Sequence, residues 1–147
     1  MNHNPDINDA LGAHLGYAAR AMKNALNRKF NRMGFNITFD QWHLLLFLWI
    51  ADARPQKELA ELCHKDKATL ARLAGGLERR GLIRRSADPR DKRSRIVSLT
   101  DEGRELEQQL MPEAMEVMSR ATDGISDEEV IVLKSLLIRV CDNLAKI

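Results

Sequence analysis

Over most of its 147 residues this chain spaces its apolar side chains in steps of three and four, but between Gly81 and Thr100 that rhythm stops. Leu82-Ile83-Arg84-Arg85-Ser86 reads as a strand and Ala87 to Ser94 as a turn-rich polar tip. Arg95 to Thr100 reads as a returning strand that turns Val97 and Leu99 to one face. A single hairpin inside an otherwise helical chain leaves few folds open. The expected class is mainly α, with about six helices and a two-stranded β-hairpin.

The helices follow in order. Met1 to Asn8 is polar and expected to fray. From Asp9, the residues Leu11, Leu15, Ala18, Met22, Leu26, Phe30 and Met33 keep helical spacing, and Gly34 closes the run. Thr38 with Gln41 makes a capping box for a second helix through Trp42–Ile50. That stretch is apolar nearly all round, so it is expected to be central and buried. Pro55 suits the first turn of a short helix, Gln56 to Cys63, whose Leu59, Ala60 and Leu62 turn inward. After the tight link His64-Lys65-Asp66, Asp66 can cap a helix from Lys67 to Arg80, which Gly81 ends. Two short helices joined this way form a helix-turn-helix, whose second member usually enters the major groove. With the hairpin behind them they make a winged helix-turn-helix.

That second helix carries Gly75-Gly76 in its middle, at about 1 kcal/mol per glycine relative to alanine. Close approach by a neighbouring helix would account for the pair, and so would a soft reading helix. Thr100 caps a fifth helix, with Asp101 and Glu102 in its first turn, that runs to about Ala121 with a kink expected near Pro112. Ser126 with Glu129 is another capping box. Beyond it Val130, Leu133, Leu137, Val140, Leu144 and Ile147 form a narrow seam of the kind one helix offers another. The seam fits either packing within the chain or a dimer. The dimer is favoured because the seam runs to the last residue.

Charge is distributed unevenly. Residues 64–95 hold eleven Lys/Arg against four Asp/Glu, a surplus of seven, while the remainder holds twelve against seventeen. The overall +2 therefore conceals a basic helix-and-hairpin unit, the electrostatic footprint of a nucleic-acid reader. An arginine on a narrow finger can enter the minor groove while a helix reads the major one. The bland alternative is a solvated basic face. No apolar run approaches the roughly 20 residues that span a bilayer, and no secretory signal pattern opens the chain. A cytoplasmic protein with no membrane partner is expected. Cys63 and Cys141 match no metal spacing and are expected to be reduced; Cys63 ends an apolar-periodic helix, so a buried thiol is the main expectation and a sensor the alternative. With no nucleophile motif, phosphate loop or clustered metal ligands, neither an enzyme nor a cofactor is expected.

The segment DPRDKRSRIVSLTDEG, Asp88 to Gly103, resembles the wing signature of the multiple antibiotic resistance regulator (MarR) family. ATLARL, from Ala68, and LERRGLI, from Leu77, resemble that family's recognition helix and the strand after it. The likeness in helix order covers about residues 10–145. It implies one domain over 1–147, with dimerisation helices at about 9–34 and 101–147 and a winged lobe at about 38–100. It further implies a homodimer that binds double-stranded DNA at a pseudo-palindromic operator, usually as a repressor, and that a small aromatic or phenolic effector or an oxidant releases. Carried over by residue, Thr69 and Arg72 would contact bases in the major groove. Arg93 would enter the minor groove from the wing tip, oriented by a salt bridge from Asp91. Lys65, Lys67, Arg90, Lys92 and Arg95 would face phosphates, or else be solvated surface charge.

Some members of that family sense peroxide through an early cysteine partnered by tyrosines. Here no cysteine precedes Cys63 and Tyr17 is the single tyrosine, so that mode is not expected. Ligand pockets in the family lie between the dimer helices and the winged lobe, which makes His14, Tyr17, Arg20, Trp42 and His43 the candidates for an effector pocket. Their ordinary reading is as core or boundary residues. The competing function is a winged helix that binds an acidic protein partner and has no sequence-specific DNA binding.

Overall fold

Thr38 starts the central helix as its spacing to Gln41 predicts. Its hydroxyl accepts from the Gln41 N–H at 3.2 Å, and the Gln41 amide oxygen accepts in return from the Thr38 N–H. A computed structural model describes residues 10–147, so the expected fraying of Met1 to Asn8 and the start of the first helix at Asp9 lie outside the described residues. The elements are α1 (Leu11–Arg32), α2 (Phe39–Ile50), β1 (Arg54–Pro55), α3 (Gln56–Leu62), α4 (Lys67–Arg79), β2 (Ile83–Asp88), β3 (Asp91–Leu99), α5 (Asp101–Ala121) and α6 (Asp127–Leu144).

Helix α2 is the hub. Leu44, Leu45 and Leu48 are fully buried and share one core with Leu26 and Phe30 of α1, Leu59 of α3, Leu70 and Leu77 of α4, and Leu110 of α5. Val97 and Leu99 of β3 close the core from the hairpin side, as their alternation predicts. Burying that many leucines, at about 1.5–3 kcal/mol each, is what fixes α4 and the hairpin relative to one another.

The hairpin differs from expectation in two ways. It is the larger part of a three-stranded antiparallel sheet ordered β1-β3-β2, because Arg54 and Pro55 pair with Val97 and Ile96. Pro55 therefore ends an edge strand ahead of α3, where its missing N–H costs nothing. The strands also run further than their alternation suggests, leaving only Pro89-Arg90 as the turn. The Asp88 carboxylate accepts the Arg90 N–H at 2.9 Å, an Asx-type turn within the stretch expected to be turn-rich.

Two glycine positions show close approach. A Cβ at Gly103 would lie 2.1 Å from the Leu82 carbonyl oxygen, so α5 can cross the start of the hairpin only with glycine there. The Gly103 carbonyl in turn accepts the Trp49 indole N–H at 2.9 Å. In α4 the two explanations for Gly75-Gly76 separate. A Cβ at Gly76 would meet Gln41 Nε2 at 3.1 Å, whereas one at Gly75 would meet only arginine side-chain ends, at 3.4 and 3.6 Å. Helix α5 continues unbroken through Pro112. Helix α6 is capped by Ser126 and Glu129 as expected, yet it buries none of its residues.

Candidate nucleic-acid interface

Asp66 sets the geometry of the reading helix. Its carboxylate accepts the Thr69 N–H at 2.7 Å and the Thr69 hydroxyl at 3.0 Å, and the backbone bond foremost holds the Asp66 carboxyl below its usual range. The Thr69 hydroxyl thus donates into the cap, which leaves its lone pairs free to accept. Arg72 follows three residues later on the same face and is exposed. Lys67, in the first turn, is exposed as well.

Lys65 is placed differently from an open phosphate contact. It is half-buried, with Nζ 3.3 Å from the Asp40 carboxylate, because the link before α4 packs beside the first turn of α2. Arg90 occupies the turn, and Lys92, Arg93 and Arg95 are exposed on β3. Arg93 lies between Asp91 and Arg95, in the register shift that interrupts the β2–β3 ladder just past the turn. The expected Asp91–Arg93 salt bridge is replaced by a backbone contact: the Asp91 carboxylate accepts the Arg93 N–H at 3.0 Å. An aspartate two residues ahead of a strand N–H is closer to that group than to the guanidinium beyond it.

A bracket not anticipated from the sequence ties the wing to the helix. One Glu78 oxygen accepts the Arg85 N–H at 2.9 Å, and the other accepts Arg85 Nη2 at 3.1 Å and Nε at 3.3 Å. The Arg85 hydrogen bonds outweigh burial and lower the Glu78 pKa. The signal was present as opposite charges seven residues apart across Gly81, but only the turn there brings them together.

Between α3, α4 and β3 lies a notch of about 440 Å³, lined among others by Lys57, Lys67, Arg85, Asp91, Arg93 and Arg95. A second cavity, about 590 Å³, lies between α1 and α5, where Ala18, Met22 and Val117 line it beside Arg28, Lys29 and Arg120. None of the five candidate effector residues lines either cavity. His14, Tyr17 and Arg20 are exposed on α1. Trp42 is buried against Phe30 and Phe39, and its indole N–H has no partner among the described residues. His43 is half-buried between the Phe39 and Phe47 rings, and burial foremost lowers its pKa. The central packing of α2 holds Trp42 in the core and His43 at its edge, away from the exposed α1 face that carries His14, Tyr17 and Arg20. Cys63 is buried and its thiol is pushed up to about 11, mainly by desolvation, so it lacks the thiolate a sensor needs. Among the described residues no group of three or more His, Cys, Asp or Glu is placed to hold a metal, and no helix is long and apolar enough to cross a membrane.

The model of the MarR family matches residues 37–94, from the entry to α2 as far as β3. The organic hydroperoxide resistance transcriptional regulator of Bacillus subtilis is 30% identical over 109 residues, covering 74% of this chain and 73% of that one. The chain belongs to the MarR family. Members of the MarR family are winged-helix, DNA-binding regulators of transcription. Among solved MarR-like structures, a probable transcriptional regulator from Pseudomonas aeruginosa is 32% identical, with a TM-score of 0.82 over 90% of this chain and 98% of that one. The PcaV transcriptional regulator from Streptomyces coelicolor, solved in complex with its natural ligand, is 28% identical with a TM-score of 0.76 over 90% and 95% of the two chains. The chain covers 64%, 73% and 82% of the lengths of three Bacillus subtilis relatives.

Proposed function

We propose that this protein is a cytoplasmic, homodimeric repressor of a pseudo-palindromic operator, released by a small aromatic or phenolic ligand. The observation that carries the reading is convergence: Lys67 of α4 and Arg93 and Arg95 of β3 border one notch, so the reading helix and the wing present charge to the same side. Thr69 and Arg72 then meet base edges, Arg93 reaches the minor groove, and Lys67, Arg90, Lys92 and Arg95 position the duplex through phosphates. Lys65 contributes less, because Asp40 already holds it.

Dimerisation through α1, α5 and α6 is supported by the surface that a single chain leaves open. Ile131, Leu133, Leu136, Ile138 and Leu144 of α6 are each 47–67% exposed. Covering that surface with a second copy would place two reading helices about 34–36 Å apart, one turn of DNA. A small-molecule effector is supported by the natural ligand found in the PcaV structure; its aromatic or phenolic class is what the family resemblance implies. His14, Tyr17 and Arg20 on the α1 surface, with Trp42 and His43 behind, are its candidate contacts.

Gel-shift titration with the DNA upstream of the protein's own gene tests the reading. Sequence-selective retardation is expected, weakened by about 1–3 kcal/mol in Arg72→Ala and relaxed in specificity at the base it contacts. Arg93→Ala is expected to weaken binding as well. Failure to retard any duplex at low salt would favour the protein-interaction module.

A further inference from the structure

We propose that the notch bounded by α3, α4 and β3 is a preformed seat for one DNA phosphate per subunit, and that Lys57 of α3 belongs to the DNA interface. The inference rests on the DNA-binding reading above and adds to it a residue outside both the reading helix and the wing.

Three elements converge on this space. Helix α3 brings Lys57, α4 brings Lys67, and the hairpin brings Arg85, Arg93 and Arg95 to a cavity of about 440 Å³. Among the described residues, Lys57, Lys67, Arg93 and Arg95 form no ion pair. Arg85 is the exception, held by Glu78 at 3.1 Å against the wall of the notch. The single carboxylate in the lining, Asp91, is engaged by the Arg93 N–H. Ala71, one turn after Lys67 on α4, adds no bulk to the lining.

Four cations border one concavity with a single carboxylate, Asp91, in its lining, so positive charge is in excess there and the cations repel one another on balance. A single anion relieves all four contacts at once. On the DNA-binding reading, a phosphate diester suits the notch because Lys67, Arg93 and Arg95, which that reading assigns to phosphates and the minor groove, border it, so docking of α4 brings a backbone phosphate there. The buried Gln56 side-chain oxygen, partnerless among the described residues, also lines the notch; as an acceptor it offers nothing to a phosphate. Lys57 is exposed, so its replacement leaves the core untouched. Nothing in its own helix distinguishes it from a solvated lysine. Only the approach of β3 gives it a task.

The test measures anisotropy of labelled duplexes as a function of salt, with wild type, Lys57→Gln and Lys57→Arg, on operator-bearing and scrambled DNA. For Lys57→Gln the slope of log K on log salt is expected to fall by roughly 2, about 0.9 per phosphate in each of two subunits. Affinity should drop by the same factor on both duplexes, and Lys57→Arg should restore both quantities. An unchanged slope and affinity in Lys57→Gln, with wild type still binding, overturns the notch and leaves the DNA-binding reading standing. A loss confined to the operator duplex, at constant slope, overturns it too, since that is a base contact. A wild type that binds neither duplex overturns the reading beneath and the notch with it.

Discussion

Three helical glycines, Gly75, Gly76 and Gly103, have different reasons to be glycine. Gly75 has room: the atoms a Cβ would meet are guanidinium nitrogens of Arg79 and Arg85, both at ordinary contact distance. Gly75→Ala is therefore expected to raise stability by about 1 kcal/mol, the helix-propensity difference, seen as a higher urea midpoint. Gly76→Ala gains the same propensity but presses on Gln41, which the capping box holds in place, so its net effect should be smaller. Gly103→Ala would set a methyl against a backbone carbonyl that cannot step aside. A loss of about 1–3 kcal/mol or more is expected from that overpacking, read from the same denaturation curves. A Gly103→Ala protein as stable as wild type would contradict the close crossing of α5 over the hairpin.

Among the elements, the junction at Asp52 holds the wing to the helices. Its carboxylate accepts the N–H groups of Ala53 at 2.7 Å and Leu99 at 2.9 Å, and pairs with Arg104 at 2.8 Å, joining the end of α2 to β3 and α5. Burial opposes ionisation there, but the Arg104 and backbone hydrogen bonds outweigh it and lower the carboxyl's pKa. The folded state therefore favours the ionised form. The stability this contributes is complete above the ordinary carboxylate value near 4 and is lost as pH falls through the lower folded value. Asp52→Asn keeps the backbone acceptor and gives up the charge, so it should cost under about 1 kcal/mol at pH 7. Its stability should also fall less steeply than wild type below about pH 4. Asp52→Ala strands the Leu99 N–H and should cost about 1–3 kcal/mol, measured by urea denaturation at pH 7.

At the scale of the molecule, α6 is an amphipathic helix none of whose residues is buried by the described part of its own chain. The seam from Val130 to Ile147 is there, with Leu133, Leu137, Leu144 and Ile147 exposed and Val130 and Val140 half-buried, but Ile131, Leu136 and Ile138 widen it into a broad face. A face that broad suits an interface better than a two-stranded coil. Leu133→Lys is expected to convert a dimer to a monomer in sedimentation equilibrium while the helical circular dichroism of the winged lobe survives. Operator affinity should fall with it, because one lobe alone spans only a half-site. A Leu133→Lys protein that stays dimeric would remove α6 from the interface.

The local chemistry was readable in the residues themselves. Thr38 with Gln41, Asp66 ahead of Thr69, Thr100 and Ser126 with Glu129 all cap the helices their spacing announced, because a cap is decided within four residues. The 82–100 hairpin and the central place of α2 followed from periodicity, for a similarly short-range reason. What tertiary structure alone decided were the meetings of distant residues: Arg54 with Val97 as a third strand, Lys65 with Asp40, Leu82 against Gly103, and Lys57 brought beside Arg95. Periodicity says which way a side chain turns on its own element. What it faces across a gap is set by how the core closes, and that depends on every element at once.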